Sequence, residues 1–209
     1  MRRDEAAVSL WSDRLAKLAA EQCLALHEAN AIFARGWVQM NQGQARQSVT
    51  QLRRALDSCT DLGMREFEPY LKAALAEALV AAGETATGLE VLEDAMLFAQ
   101  ESGVGFWNAE LLRLKGESLA RLSLDRGHEQ VEACYREALA VARRQQARSL
   151  ELRAATSLAR LWRDQGKHQK AGDLLAPVYG WFTEGLDTPD LKEAKTLLAE
   201  LLGRATPHP

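Results

Sequence analysis

The side chains able to do chemistry are scattered through this sequence rather than gathered. The four histidines, His27, His128, His168 and His208, stand in no HExxH string and beside no cysteine pair. Neither a zinc site nor an imidazole base with a fixed partner is suggested. Cys23, Cys59 and Cys134 are far apart and form no CxxC, so they read as reduced thiols that pack as small hydrophobes. Glu90, Glu93 and Asp94 adjoin one another, which a solvated helix face explains. No GxxxxGK[ST], GxGxxG or GxSxG string occurs, so phosphate cradles and nucleophile elbows are not signalled. No catalytic residue, metal or cofactor is assigned, and the chain is expected not to be an enzyme.

Arginine is the exception. Residues 141–170 hold eight Lys or Arg against two acids, Glu151 and Asp164, a local charge of +6 (8 − 2) in a chain of net charge −3. Arg153, Arg160 and Arg163 are seven and three apart, so they share one helical stripe. Guanidinium groups grip carboxylates and phosphates in a bidentate fork. Such a stripe is suited to an acidic or C-terminal peptide. The alternative is a solvated face, or pairing with neighbouring acids. A further alternative is nucleic acid held by the basic 141–170 region; the overall acidity and the lack of a base-reading pattern oppose it.

These residues have to be positioned by helices. The 209 residues are 47% hydrophobic and 26% charged, enough apolar surface for one domain or one helical array. Leu71, Leu75, Ala78 and Leu79, then Leu89, Leu92, Ala95 and Met96, recur at steps of three and four; nothing alternates as a strand would. No run approaches the roughly 20 apolar residues of a membrane span, and the N-terminus MRRDEAAVSL lacks a secretory apolar core,. A soluble, cytoplasmic chain is expected.

The glycines set the period. Gly43, Gly83, Gly127 and Gly166 are 40, 44 and 39 apart (83−43, 127−83, 166−127), each closing one amphipathic segment before the next begins. Glycine suits the left-handed residue that ends a helix, and a fixed period of this size signals stacked hairpins. Around each turn a small residue precedes the glycine by seven. Small, large and small residues then follow it at five, nine and twelve. The strings are Gly36 with Ser48, Leu52, Ala55; Ala76 with Gly88, Leu92, Ala95; and Ala159 with Ala171, Leu175, Val178. Gly116 with Val131, Tyr135 and Ala138 fits after about four extra turn residues and a slip of one,.

Four such sets in register resemble tetratricopeptide (TPR) repeats. The long period is similar to the variety found in MalT-like regulators and bacterial signalling ATPases. The strings SLELRAATSLARLWRDQGK and LLAPVYGWFTEGLDTPDLKEAKTLLAEL resemble the helical-repeat C-terminal region of multidomain proteins that join a nucleotide cyclase to a STAND-type ATPase. The resemblance implies an all-α, right-handed superhelical solenoid of antiparallel helix hairpins. A single domain over 1–203 is expected: a partial repeat at 4–21, repeats at 24–62, 66–102, 106–146 and 148–183, a capping helix at 189–202 and a disordered tail at 204–209. Each repeat pairs a first and a second helix: 24–41 with 45–62, 66–82 with 85–102, 106–123 with 128–146, and 148–165 with 168–183. The 4–21 helix reads as a second helix without its first, which suggests a fragment of a longer array.

In TPR-like arrays the first helix of each pair lines a concave groove. Carrying those positions over gives Phe33, Trp37, Met40 and Tyr70 at an apolar end and Arg113, Arg121, Arg153, Arg160 and Arg163 at a basic end. The other tryptophans are read mostly as packing residues. The expected function is non-catalytic: an interaction or regulatory scaffold module of a bacterial signalling protein. It would bind a protein or peptide, an acidic one among the candidates, or upstream domains of its own parent chain, or a second copy. Membrane binding is not expected and nucleic acid is the lesser reading.

Overall fold

The computed structural model describes residues 5–122 and 128–203 and is helical, with no strand among the described residues. The ten α-helices among the described residues are α1 (Glu5–Glu21), α2 (Ala25–Asn41), α3 (Ala45–Asp61), α4 (Glu68–Ala81), α5 (Thr85–Ser102), α6 (Asn108–Leu122), α7 (His128–Arg144), α8 (Arg148–Asp164), α9 (His168–Gly180) and α10 (Pro189–Gly203). A short 3₁₀ turn, Arg65–Phe67, leads into α4. Consecutive helices pack on each other, α2 with α3, α4 with α5, α6 with α7 and α8 with α9, as in a helical solenoid. The helix limits follow the expected ones closely. The exceptions are that α4 and α6 start two residues late, α7 ends two residues early at Arg144, and α9 stops at Gly180, three residues beyond its internal Pro177.

The packing explains the small-and-large pattern. A Cβ on Gly36 would lie 2.9 Å from Leu52 Cγ, and one on Gly116 would lie 2.6 Å from a Tyr135 ring carbon. The missing side chain is what lets the large one seat. Leu92 and Leu175, opposite Ala76 and Ala159 in the same pattern, are fully buried. The turn glycines Gly43, Gly83 and Gly166 hold φ of 77°, 88° and 76°, a conformation costly for residues with a Cβ. Gly127 and the 204–209 tail lie outside the described residues. Two turns use other residues: Cys23 and Gln146 sit at φ 54°. No sequence rule flagged either, because the turn hydrogen bonds, not the residue type, impose the conformation there.

The chain divides into two compact units, split between Trp107 and Asn108. In the first, Ala29, Ile32, Phe33, Leu52, Ala55, Leu71, Leu75 and Leu79 form one buried cluster across α2, α3 and α4. In the second, Tyr135, Leu152, Leu158, Trp162, Leu175, Leu191, Leu197 and Leu201 join α7, α8, α9 and α10. Burying each Leu, Ile or Phe side chain of these clusters is worth about 1.5–3 kcal/mol, which offsets the backbone entropy that short helices alone do not recover.

Candidate functional site

The first unit carries an aromatic ladder. Phe33 on α2, Tyr70 on α4 and Trp107 just before α6 are each 37 residues apart (70−33, 107−70). Their rings stand 4.9 Å and 4.6 Å apart, the second pair stacked at 27°. Phe106, exposed, adds a tilted contact to Trp107 at 5.8 Å. Of the expected groove residues, Phe33 and Trp37 are buried, while Met40 and Tyr70 are half-buried and pack on the same core. Trp37 therefore serves the core, and its carbonyl accepts from Asn41 Nδ2 at 2.7 Å. The accessible part of the face is Met40, Tyr70, Trp107 and Phe106. The last two escaped the sequence reading, although a step of 37 from Tyr70 finds Trp107. The positions of α2 and α4 that the resemblance would turn to a groove (Asn30, Phe33, Ala34, Trp37, Met40, Asn41, Tyr70, Ala73, Ala74, Glu77, Val80 and Ala81) include a single charged residue, Glu77.

The second unit answers the arginine question. Arg113 is buried and held by Glu110 through Nη2 at 2.8 Å and Nε at 2.9 Å, and by Glu117. Arg153 reaches Glu110 at 3.0 Å on one side and Asp190 at 2.9 Å on the other. Arg160 pairs with Glu193, and Arg163 pairs with Asp164 at 2.9 Å and Glu200 at 2.7 Å. Acids of α6, bases of α8 and acids of α10 thus form a second ladder, sewn across neighbouring helices. The sequence separations are 43 for Glu110 to Arg153 and 37 for both Arg153 to Asp190 and Arg163 to Glu200. Of the readings left open for the stripe, pairing with neighbouring acids is the one these contacts show. Arg121 stands apart, exposed at the end of α6.

Electrostatics agree. Burial would lower the Arg153 pKa, but Glu110 and Asp190 raise it above the ordinary guanidinium value. For Arg160 burial wins and lowers it. Elsewhere in 141–170, Arg143 and Arg148 share the buried Glu151 at 2.9 Å and 2.8 Å. Burial works to raise the Glu151 pKa, and these two partners bring it below the usual carboxylate range. The basic run is largely neutralised inside its own fold.

Among the described residues no group of three or more His, Cys, Asp or Glu is placed to hold a metal ion. No described helix is long and apolar enough to cross a membrane. Cys59 is buried and Cys134 half-buried; burial pushes both thiols up, away from the thiolate that reacts. Two tryptophans read as packing residues, Trp11 and Trp181, are exposed. Trp162 packs in the core, with Lys170 4.0 Å and Arg136 5.2 Å from its ring centre.

The sequence matches no protein-family model, and no curated protein matches it. In structure the chain is similar to BtubC (BKLC) from P. vanneervenii, with a TM-score of 0.69 and 20% sequence identity over 97% of this chain and 83% of that one. At that identity the likeness is one of fold.

Proposed function

We propose that this chain is a non-catalytic interaction module that holds a protein or peptide on the faces of its first helices, α2 and α4 above all. In this reading the hairpins are about four TPR-like repeats of the long-period, MalT-like kind, wound into a right-handed superhelix. The module then belongs to a cytoplasmic bacterial signalling protein, as a regulatory arm for cyclase or ATPase domains or a scaffold for a separate partner. The observation that carries the reading is the part-exposed aromatic ladder Phe33, Tyr70 and Trp107. Aromatic rings left accessible on a rigid helical face supply contact area at little entropic cost.

The partner segment is apolar where it meets Met40, Tyr70 and Phe106. An acidic segment gains less than the arginine count suggests, because Arg113, Arg153, Arg160 and Arg163 already have carboxylates. The test is selection of peptides from a random displayed library on the folded chain and on Tyr70→Ala. Apolar or aromatic motifs should emerge on the first and be lost on the second. A library that yields no motif, or motifs that ignore Tyr70, overturns the reading.

A further inference from the structure

The charge of the first unit is uneven. Residues 61–107 hold nine acids against Arg65 and Lys72, a local charge of −7 (2 − 9) in a chain of net charge −3. The basic run of the second unit is met by carboxylates of neighbouring helices. This acidic run has no such answer. Its two bases are already taken: Arg65 reaches Glu68 at 2.7 Å, and Lys72 reaches Glu68 at 3.0 Å and Asp94 at 2.7 Å. Among the described residues no ion pair holds Asp61, Glu66, Glu84, Glu90 or Glu101, and all five are exposed.

Three of these acids stand at the end of the unit where the aromatic ladder is accessible. Arg65 lies 4.8 Å from the Phe98 ring centre and Lys72 pairs with Asp94, so the start of α4 adjoins the close of α5. Glu66 follows Arg65, Glu101 follows Phe98 by three residues, and Asp61 closes α3 four residues before Arg65. Tyr70, in the first turn of α4, stacks on Trp107, with Phe106 beside it. Leu62, Phe67, Leu97 and Phe106 in the same segments are exposed, and Leu97 and Glu101 share one side of α5 at a step of four. Exposed apolar side chains bordered by unpaired carboxylates suit a partner that is both apolar and cationic.

The unit already holds cations in this manner. Arg65 and Lys72 stand 4.8 Å and 5.6 Å from the Phe98 ring centre, with Glu68 and Asp94 as their counterions. Phe106 and Trp107 have no cation over them among the described residues, although an aromatic face attracts one through its quadrupole. We propose that the partner held on the ladder is a basic segment. Its apolar residues cover Met40 and Tyr70. Its Lys or Arg stems run along Phe106 and Trp107, and their charged heads meet Glu66 and Glu101. Such a partner presupposes the docking face assigned to the ladder above.

The test is selection from a random displayed peptide library on the folded chain and on Tyr70→Ala, followed by the affinity of the synthesised consensus peptide for each variant in low and high salt. The consensus should join Lys or Arg to apolar or aromatic residues and should depend on Tyr70. Glu66→Lys with Glu101→Lys, both at exposed positions, should weaken its binding about tenfold and flatten its loss with salt, with helicity by circular dichroism unchanged. Glu90→Lys, about 16 Å along α5 from Glu101, should leave it nearly unaltered. A Tyr70-dependent consensus without Lys or Arg, or one enriched in Asp or Glu, overturns the basic partner while the ladder stays a docking face. So does binding indifferent to the double reversal, or weakened equally by Glu90→Lys. A library that yields no Tyr70-dependent motif overturns the docking face itself, and the basic partner with it.

Discussion

Single residues decide how closely these helices approach. Gly116 and Gly172 both lie within helices, yet a Cβ on Gly116 meets the Tyr135 ring while one on Gly172 meets nothing within 4 Å. Gly116→Ala should therefore cost about 1–3 kcal/mol through overpacking, whereas Gly172→Ala should gain about 0.5–1 kcal/mol from helix propensity. Urea unfolding of the two variants checks both signs. Glu151 gives a pH signature. Its carboxyl is held below the ordinary range by Arg143 and Arg148 against the effect of burial, so its contribution is present above the unfolded carboxylate value and lost as pH falls through the lower folded one. Glu151→Gln should cost about 1–3 kcal/mol at neutral pH, toward the lower end because both guanidiniums are half exposed,. The gap to wild type should narrow as the pH is lowered. Gly36, Gly116 and their large partners were legible in the sequence because sterics act locally. The left-handed Cys23 and Gln146 were not, since nothing in their type requires that conformation.

At the scale of elements, the boundaries could be read because apolar spacing and turn glycines are local signals. What each helix face touches could not. The arginine stripe of α8 was recognised, but its meaning depended on Glu110, Asp190, Glu193 and Glu200, which lie one repeat away in sequence and one helix away in space. Searching for acids 37 residues on from each arginine, the spacing of the aromatic ladder, would have found two of these pairs. α10 consequently has two anchors, Leu191, Ala194, Leu197 and Leu201 in the core and the ion pairs with α8. Leu197→Ala should cost about 2–5 kcal/mol and Asp190→Asn about 1 kcal/mol. Hydrogen exchange should show α10 amides losing protection in both variants.

For the whole molecule, all-helical stacking was evident from the fixed period, because a hairpin that cannot bury its own apolar face must lie on a neighbour. Surface charge was less legible, since a linear count of +6 over 141–170 does not reveal that most of those cations are spoken for. A random single-stranded oligonucleotide should accordingly show little affinity and a shallow dependence on salt, where a phosphate-binding face would lose affinity steeply as salt rises. Fluorescence anisotropy in low and high salt checks this.

The 37-residue interval that aligns Phe33 with Tyr70, Tyr70 with Trp107, Arg153 with Asp190 and Arg163 with Glu200 carries an evolutionary consequence. Inserting or deleting one residue within such an interval would shift the rung that spans it out of line, whereas a length change outside those intervals leaves each rung facing its mate. Substitutions tolerated together in related chains should therefore fall in pairs one interval apart, a lag that aligned homologues would display directly.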